Sequence, residues 1–343
     1  MLNNSTKTLF LMTLLLGMFI TISSNSWLSA WMGLEINLLS FIPIMSNNKN
    51  IFTMEASLKY FLIQALASST LLFIIISKSI LENLFTFGIS PMNFMVTIPL
   101  LMKTGAAPLH WWFPSVMEGL NWSNCFILMT VQKIAPLILI SYLIDFNVFF
   151  MFIIMSSVLV GTVGGYNQIS IRKILTYSSI NHLGWMLTAM TISENLWALY
   201  FLIYSSLTLA IIYIIKPLQI SFINQTFLLN NNNKIMKFLL FSSLLSLGGL
   251  PPFLGFLPKW MVIQSMINNS SILIMSVMVI LSLITLYYYL RISYSAFIIL
   301  SYENSWNMIP DNSGVFSLSM TVMLSMFSVL GMILCSILIN FVN

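Results

Sequence analysis

Long apolar stretches separated by short polar ones recur along the whole chain. Each is about 20 residues long, enough to cross the hydrocarbon core of a bilayer as a helix. The stretches predict eleven spans, with ends set to within about 2–4 residues. These lie at 6–22, 26–45, 57–78, 92–118, 123–143, 147–166, 174–191, 195–215, 237–267, 271–299 and 315–340. The pattern therefore predicts an all-α polytopic membrane protein with about eleven transmembrane helices.

The composition supports this prediction and excludes several other classes. Hydrophobic residues make up 59% of the 343 positions and charged residues 6%, whereas soluble domains carry about 25% charged residues. The net charge of +5 comes from basic residues placed singly in short loops, so it does not indicate nucleic-acid binding. Cys125 and Cys335 lie far apart within apolar segments and indicate neither a disulfide framework nor an iron–sulfur site.

The charges of the loops predict the orientation. When loops are assigned to alternate sides, one side receives eight basic residues, while the other receives Lys78 together with three acidic residues. The basic side is expected to stay in the compartment of synthesis. The N-terminus is expected on that side, and the odd number of spans puts the C-terminus on the opposite side.

Two of the spans are interrupted, and they occupy matching positions. The motifs "TGAAP" in the fourth span and "GGLPPFLGFLPKW", residues 248–260, in the ninth combine glycine with proline, and these two spans hold six of the eleven prolines. Interrupted segments at corresponding positions of two inverted halves indicate a transport site; a chance pair of prolyl kinks is the alternative. The predicted parts are a first five-helix repeat, a second inverted five-helix repeat, and a loop with a C-terminal helix, at 1–146, 147–300 and 301–343.

Four ionisable residues fall near the middle of spans: Glu35, Lys103, Lys133 and Lys259. Each costs about 2.5–3.5 kcal/mol at the centre of a membrane helix, so each needs polar partners or water. Lysine can lose its proton when its surroundings change, which arginine cannot do. The four residues therefore predict a proton relay. A static buried ion pair between Glu35 and a lysine is the structural alternative.

Two histidines are weaker candidates for proton transfer. His110 follows the first break and could carry protons, or it could only bond a carbonyl freed there. His182, beside Ser178, Ser179 and Asn181, could connect two half-channels, or it could serve hydrogen-bonded helix packing. The sequence contains no metal-ligand cluster.

Four motifs in the same order resemble one known family over essentially the whole chain. "MGLEINLLSF", "MKTGAAPLHWWFPSVMEGL", "SSINHLGWM" and "GGLPPFLGFLPKW" resemble the NADH dehydrogenase subunit 2 family, the mitochondrially encoded antiporter-like membrane subunits of respiratory complex I. The residue usage resembles that of an invertebrate member. Larger relatives have fourteen helices, and the count of eleven matches animal members, which lack the first three.

The resemblance implies two inverted five-helix bundles and a role in proton translocation across the mitochondrial inner membrane. It implies that Glu35 is the key membrane glutamate, Lys103 its paired lysine, Lys133 the central bridging residue and Lys259 the terminal lysine. NADH, FMN, the iron–sulfur clusters and ubiquinone are expected on other subunits, with no cofactor on this chain. The expected partners are other complex I membrane subunits, including antiporter-like ones, and phospholipids, and the basic side corresponds to the matrix.

Two other functions remain open at this point. The intramembrane charges alone would also suit a free-standing cation/proton antiporter, and a structural assembly subunit is a further alternative.

Overall fold

The computed structural model of the chain describes residues 4–47, 50–84, 90–144, 146–227, 234–268 and 271–295, and beyond them Met323, Met326 and Gly331. These residues form fourteen helices and no named strand. The helices are α1 (Asn4–Ser23), α2 (Trp27–Met45), α3 (Ile51–Leu84), α4 (Ser90–Thr104), α5 (Trp112–Gly119), α6 (Trp122–Met129), α7 (Val131–Ser141), α8 (Val148–Tyr166), α9 (Ile171–Met190), α10 (Glu194–Leu218), α11 (Ile223–Phe227), α12 (Lys234–Gly248), α13 (Phe256–Asn268) and α14 (Ile272–Tyr294).

Seven helical segments of the described part are long and apolar enough to cross a membrane. They are Ser5–Ser23, Trp27–Met45, Ile51–Ile80, Trp122–Ser141, Val148–Tyr166, Glu194–Leu218 and Ile272–Tyr294. Two shorter apolar helices, Phe94–Thr104 and Met236–Gly248, come directly before the two predicted breaks. The chain is thus a multi-pass helical membrane protein. The predicted eleventh span at 315–340 and the part at 301–343 lie outside the described residues, except for three single positions.

The chain divides into two compact units, Met1–Ile153 and Ile154–Asn343. In the first unit, α1 and α2 approach each other closely through glycines. A Cβ atom on Gly17 would lie 2.9 Å from the backbone nitrogen of Asn37, and one on Gly33 would lie 2.6 Å from Cγ2 of Thr21. Small residues allow such close backbone approach between membrane helices.

Helix α3 is longer than the span predicted at 57–78. Its 34 residues correspond to about 51 Å, against a hydrocarbon core of about 30 Å, so part of the helix lies outside the hydrocarbon. Near its start, Lys59 Nζ lies 2.6 Å from the Glu55 carboxylate, and both side chains are exposed. This i,i+4 pair of opposite charges favours a helix and lies at the N-terminal end, where the structure extends the helix beyond the predicted span.

The first break lies in the first unit. Helix α4 ends at Thr104, Gly105 has φ of +75°, and the helix resumes at Trp112 as α5. Glycine adopts this left-handed conformation without the strain that a Cβ atom causes. The indole nitrogen of Trp112 donates a hydrogen bond of 3.1 Å to the carbonyl of Met102, which also accepts the Gly105 N–H at 3.3 Å.

The second break lies in the second unit and uses the same backbone conformation. Helix α12 ends at Gly248, Gly249 has φ of +85°, and α13 begins at Phe256. The Gly249 N–H donates to the carbonyls of Leu245 (3.2 Å) and Ser246 (3.0 Å). Both helices therefore end inside the proline- and glycine-containing motifs of the sequence.

A third interruption differs from the sequence prediction. The span predicted to be continuous at 123–143 is divided at Thr130, which has φ of −117° and ψ of −74° and separates α6 from α7. The Thr130 hydroxyl donates a hydrogen bond of 2.7 Å to the carbonyl of Phe126. Such bonds to the preceding turn can bend helices slightly, and neither proline nor glycine stands at this interruption in the sequence.

Helix α9 is the most polar long helix of the second unit and also its core. Seventeen of its 20 residues are buried, including His182 and Asn181. Asn181 packs where a Cβ atom on Gly161 of α8 would lie only 2.5 Å from its backbone nitrogen. Protein therefore surrounds a helix that is not among the seven lipid-compatible segments.

Candidate functional site: the buried lysines

Lys103 lies at the end of α4, one residue before the helix stops, and is 7% exposed. Its carbonyl accepts a hydrogen bond of 3.4 Å from the side-chain nitrogen of Gln64 on α3. Its Nζ atom has no hydrogen-bond partner among the described residues. A buried ammonium without a partner is strongly destabilised unless water solvates it, so the surroundings of this atom decide its chemistry.

Glu35 on α2 is half-buried and acts on Lys103 at a distance. Its Oε1 atom accepts a hydrogen bond of 3.4 Å from the Ser68 hydroxyl, and its charge interacts electrostatically with Lys103. Within the described residues, the pair Lys59–Glu55 forms an ion pair, whereas Glu35 and Lys103 do not come within ion-pair distance. The two charges are therefore coupled without direct contact.

Lys133 on α7 is 2% exposed. Its Nζ atom lies 4.8 Å from the centroid of the Phe113 ring on α5. An aromatic face stabilises a cation at this distance, and Phe113 is placed there by the turn that follows Gly105. The first break therefore also supplies part of the environment of Lys133.

Lys103 and Lys133 line one cavity inside the first unit. The cavity has about 20 Å³ of space open to the centre of a water molecule, where one water needs about 10–15 Å³ on this measure. Its polar lining comes from the two lysines and from Asn37, Tyr60, Gln64, Thr104 and Gln132. Leucines, Pro136, Trp112 and Phe113 complete the wall. The arrangement suits proton transfer between two amines through water.

Uncharged polar side chains link three helices around this cavity. The Tyr60 hydroxyl donates to Oε1 of Gln132 (3.3 Å), and Nε2 of Gln132 donates to Oδ1 of Asn37 (3.0 Å). Neither these residues nor Gln64 is predicted from the sequence as part of a site. Their signal was present but weak: Gln132 adjoins Lys133, and Asn37 comes two residues after Glu35.

Lys259 lies in the second unit near the start of α13 and is 4% exposed. Its Nζ atom donates a hydrogen bond of 2.9 Å to the carbonyl of Gly248, the last residue of α12. It also lies 6.0 Å from the centroid of the Trp185 ring on α9. The broken helix thus solvates this ammonium with its own freed carbonyl.

The two histidines occupy different environments. Nδ1 of His110 lies 3.2 Å from the carbonyl oxygen of Pro108, and the ring stacks on exposed Trp111. His110 does not line the cavity of Lys103 and Lys133. Nδ1 of His182 lies 2.8 Å from the Tyr200 hydroxyl inside the second unit. Within the described part of the chain, no three potential metal ligands come together.

The sequence matches a known family model over residues 24–285, described as NADH:quinone oxidoreductase/Mrp antiporter, TM. Similar proteins named NADH-ubiquinone oxidoreductase chain 2 include one from Anopheles gambiae, 52% identical over 96% of this chain and 97% of that one. Another, from Locusta migratoria, is 48% identical over 98% of both chains. A third, from Dugong dugon, is 42% identical over 84% of each.

Two solved structures share the fold. A chain of respiratory complex I from Thermus thermophilus, solved with bound aureothin, superimposes with a TM-score of 0.81 at 22% identity over 95% of this chain and 78% of that one. A chain of the Mrp complex from Dietzia gives a TM-score of 0.78 at 15% identity over 94% of this chain and 74% of that one. At these identities the superpositions show a shared fold.

Proposed function

The chain belongs to the NADH:quinone oxidoreductase/Mrp antiporter family, and we propose that it is a membrane-arm subunit of NADH:ubiquinone oxidoreductase, complex I, taking part in proton translocation. The names of its relatives at 48–52% identity over nearly the full length support this assignment. The free-standing antiporter is less well supported, because the Mrp chain shares the fold at only 15% identity.

The proposed relay consists of Glu35, Lys103 and Lys133 in the first unit and Lys259 in the second, with His110 and His182 as secondary candidates. One observation carries the proposal: Lys103 and Lys133, both buried, line a single polar cavity large enough for water. Glu35 interacts electrostatically with Lys103, so a change in the charge of Glu35 would change how strongly Lys103 holds its proton. Such coupling lets charge move stepwise through the unit without a permanent charge imbalance.

The wider arrangement follows from the same family. We place the chain in the mitochondrial inner membrane, with the N-terminus on the matrix side and the C-terminus on the intermembrane-space side, in line with the loop charges. The eleven spans form two inverted five-helix repeats and a C-terminal helix. NADH, FMN, iron–sulfur clusters and ubiquinone bind other subunits, and this chain contacts other membrane subunits, including antiporter-like ones, and phospholipids.

Replacement of the lysines in the assembled complex tests the relay. Complexes with Lys103→Met or Lys133→Met are reconstituted in sealed liposomes, and NADH-driven proton uptake is measured per assembled complex. We expect a loss of about tenfold, because a positioned proton-transfer group contributes about 10²–10⁴-fold and other subunits share the pumping. Lys59→Met, an exposed lysine in an i,i+4 pair, is the matched control and should pump normally.

The same preparations separate the alternative functions. Normal pumping by an assembled Lys103→Met complex would contradict the relay, and failure to assemble would support a structural role. Ion-driven proton exchange by the purified chain alone in liposomes would favour the free-standing antiporter.

A further inference from the structure

We propose that Gln132 is a positioning residue for proton transfer between Lys103 and Lys133, and that its side-chain amide holds the water molecule that links the two lysines. The inference rests on the proposed function and adds a residue to it.

The amide of Gln132 is fixed in one orientation. Its oxygen accepts from Tyr60 on α3, and its nitrogen donates to Asn37 on α2. Rotating the amide by 180° would set its oxygen against Oδ1 of Asn37 and lose that bond, although the Tyr60 hydroxyl could then accept from the amide nitrogen. Tyr60 is itself held by an edge-on contact with Phe41, with ring centroids 5.4 Å apart. Three helices therefore set the direction of the Gln132 dipole.

The amide of Gln132, which lines the cavity, has bonding capacity that Tyr60 and Asn37 leave unused. An amide offers two N–H donors and two lone pairs, and each partner uses one of them, so Gln132 retains one donor and one lone pair. The cavity that it lines with Lys103 and Lys133 is large enough for a water molecule. A buried water needs two to four polar partners, and these three side chains supply them.

Gln132 cannot carry the proton, because a neutral amide has no ionisable group in the physiological range. Its contribution is geometric. Proton transfer requires reacting atoms close together and aligned, and a misplacement of about 1 Å can cost about 10²-fold in rate. An oriented amide next to Lys133 in the chain is therefore expected to control the transfer rate without being a member of the relay.

The test compares variants in the assembled complex, reconstituted in sealed liposomes and measured by NADH-driven proton uptake across a range of pH. Gln132→Glu preserves shape and keeps an acceptor for Tyr60, but it can ionise beside two lysines and fix their charge. We expect it to lower proton uptake about tenfold and to change the pH profile. Gln132→Leu should lower proton uptake about tenfold without the new pH dependence. Tyr60→Phe removes one hydrogen bond and should lower uptake about threefold. These losses are smaller than the loss of about 10²-fold that a misplacement of about 1 Å can cause.

The control is a glutamine outside the cavity. Gln168 in the second unit is half-buried and donates a hydrogen bond of 3.2 Å to the carbonyl of Gly164. Gln168→Glu and Gln168→Leu should leave the rate and the pH profile of uptake unchanged.

The outcomes separate this inference from the proposed function. If Gln132→Glu and Tyr60→Phe pump at the native rate with the native pH profile while Lys133→Met does not, the positioning role is wrong and the relay stands. If the assembled lysine variants also pump normally, the proposed function fails and the inference fails with it. Should Gln132→Leu not assemble, Gln132→Glu and Tyr60→Phe decide.

Discussion

The two broken helices end with the same backbone conformation, but different side chains bond to the carbonyls at the two breaks. Gly105 and Gly249 have φ of +75° and +85°, so each unit contains a helix that stops at a left-handed glycine. In the first unit, the carbonyl of Met102 in the last turn of α4 accepts the indole N–H of Trp112. In the second unit, the freed carbonyl of Gly248 accepts the ammonium of Lys259.

This difference determines how each lysine is solvated. Lys103 lies before its glycine and reaches a cavity, whereas Lys259 lies ten residues after its glycine and bonds to the backbone. A helix break alone therefore does not define a lysine site. In the second unit the lysine bonds to the carbonyl at the break, whereas in the first unit a tryptophan bonds there and the lysine lines a cavity.

A large effect is expected from adding a methyl group at each glycine. Both Gly105→Ala and Gly249→Ala force a Cβ atom into a positive-φ conformation, which costs about 1–2 kcal/mol. At Gly249 the new atom would also lie 3.1 Å from Nζ of Lys259, while at Gly105 it would lie 3.4 Å from Phe113. We expect Gly249→Ala to lower the thermal midpoint of the solubilised complex more than Gly105→Ala. Equal losses of thermal midpoint in the two variants would show that backbone strain, and not the contact with Lys259, accounts for the effect.

Replacing each lysine with methionine should affect stability differently. Lys259→Met leaves the buried Gly248 carbonyl without its donor, which costs about 1–3 kcal/mol. Lys103→Met removes an ammonium without a hydrogen-bond partner among the described residues, so it should leave stability unchanged or raise it. Thermal unfolding of the two complexes in detergent measures this contrast, and a loss of stability in the Lys103 variant would contradict it.

Trp112→Phe tests the first break directly and should have a smaller effect. The substitution keeps an aromatic ring against Tyr60, whose centroid lies 5.9 Å from that of Trp112, but removes the donor to Met102. We expect a loss of about 1 kcal/mol in stability, the usual net worth of one hydrogen bond. The control is Trp260→Phe. Trp260 is half-buried and directly follows Lys259, and its replacement should change stability less.

Lys59→Met should have the smallest effect. An exposed i,i+4 pair contributes about 0.3–0.5 kcal/mol, so the thermal midpoint should hardly move. If Lys59→Met lowered the thermal midpoint as much as Lys259→Met, the hydrogen bond from Lys259 to Gly248 would have no special role in stability.

Sequence reasoning located the breaks and the charged residues because each carries a strong local signal. Proline and glycine marked both breaks, and a lysine within an apolar run stands out by its cost alone. The all-helical membrane fold followed from the same runs. The residue-level relay, the inverted repeats and the count of eleven spans stay predictions.

The polar frame of the cavity could not be found in this way. Gln132 and Asn37 are 95 residues apart in the chain, and only the packing of α2 against α7 shows that they meet. Neutral amides cost less to bury than charges, so a glutamine in a membrane helix does not identify its partner. The interruption at Thr130 was not predicted for a related reason. Its hydroxyl bonds to the preceding turn, but nothing in the sequence distinguishes this threonine from any other.

The polarity of α9 has a consequence for biogenesis. Since α9 is not apolar enough to count among the membrane-compatible segments and 17 of its 20 residues are buried by protein, it gains little from lipid by itself. We therefore expect α9 to enter the bilayer together with α10, whose Tyr200 bonds to His182. The second unit is therefore expected to enter the bilayer as a group of helices rather than one helix at a time.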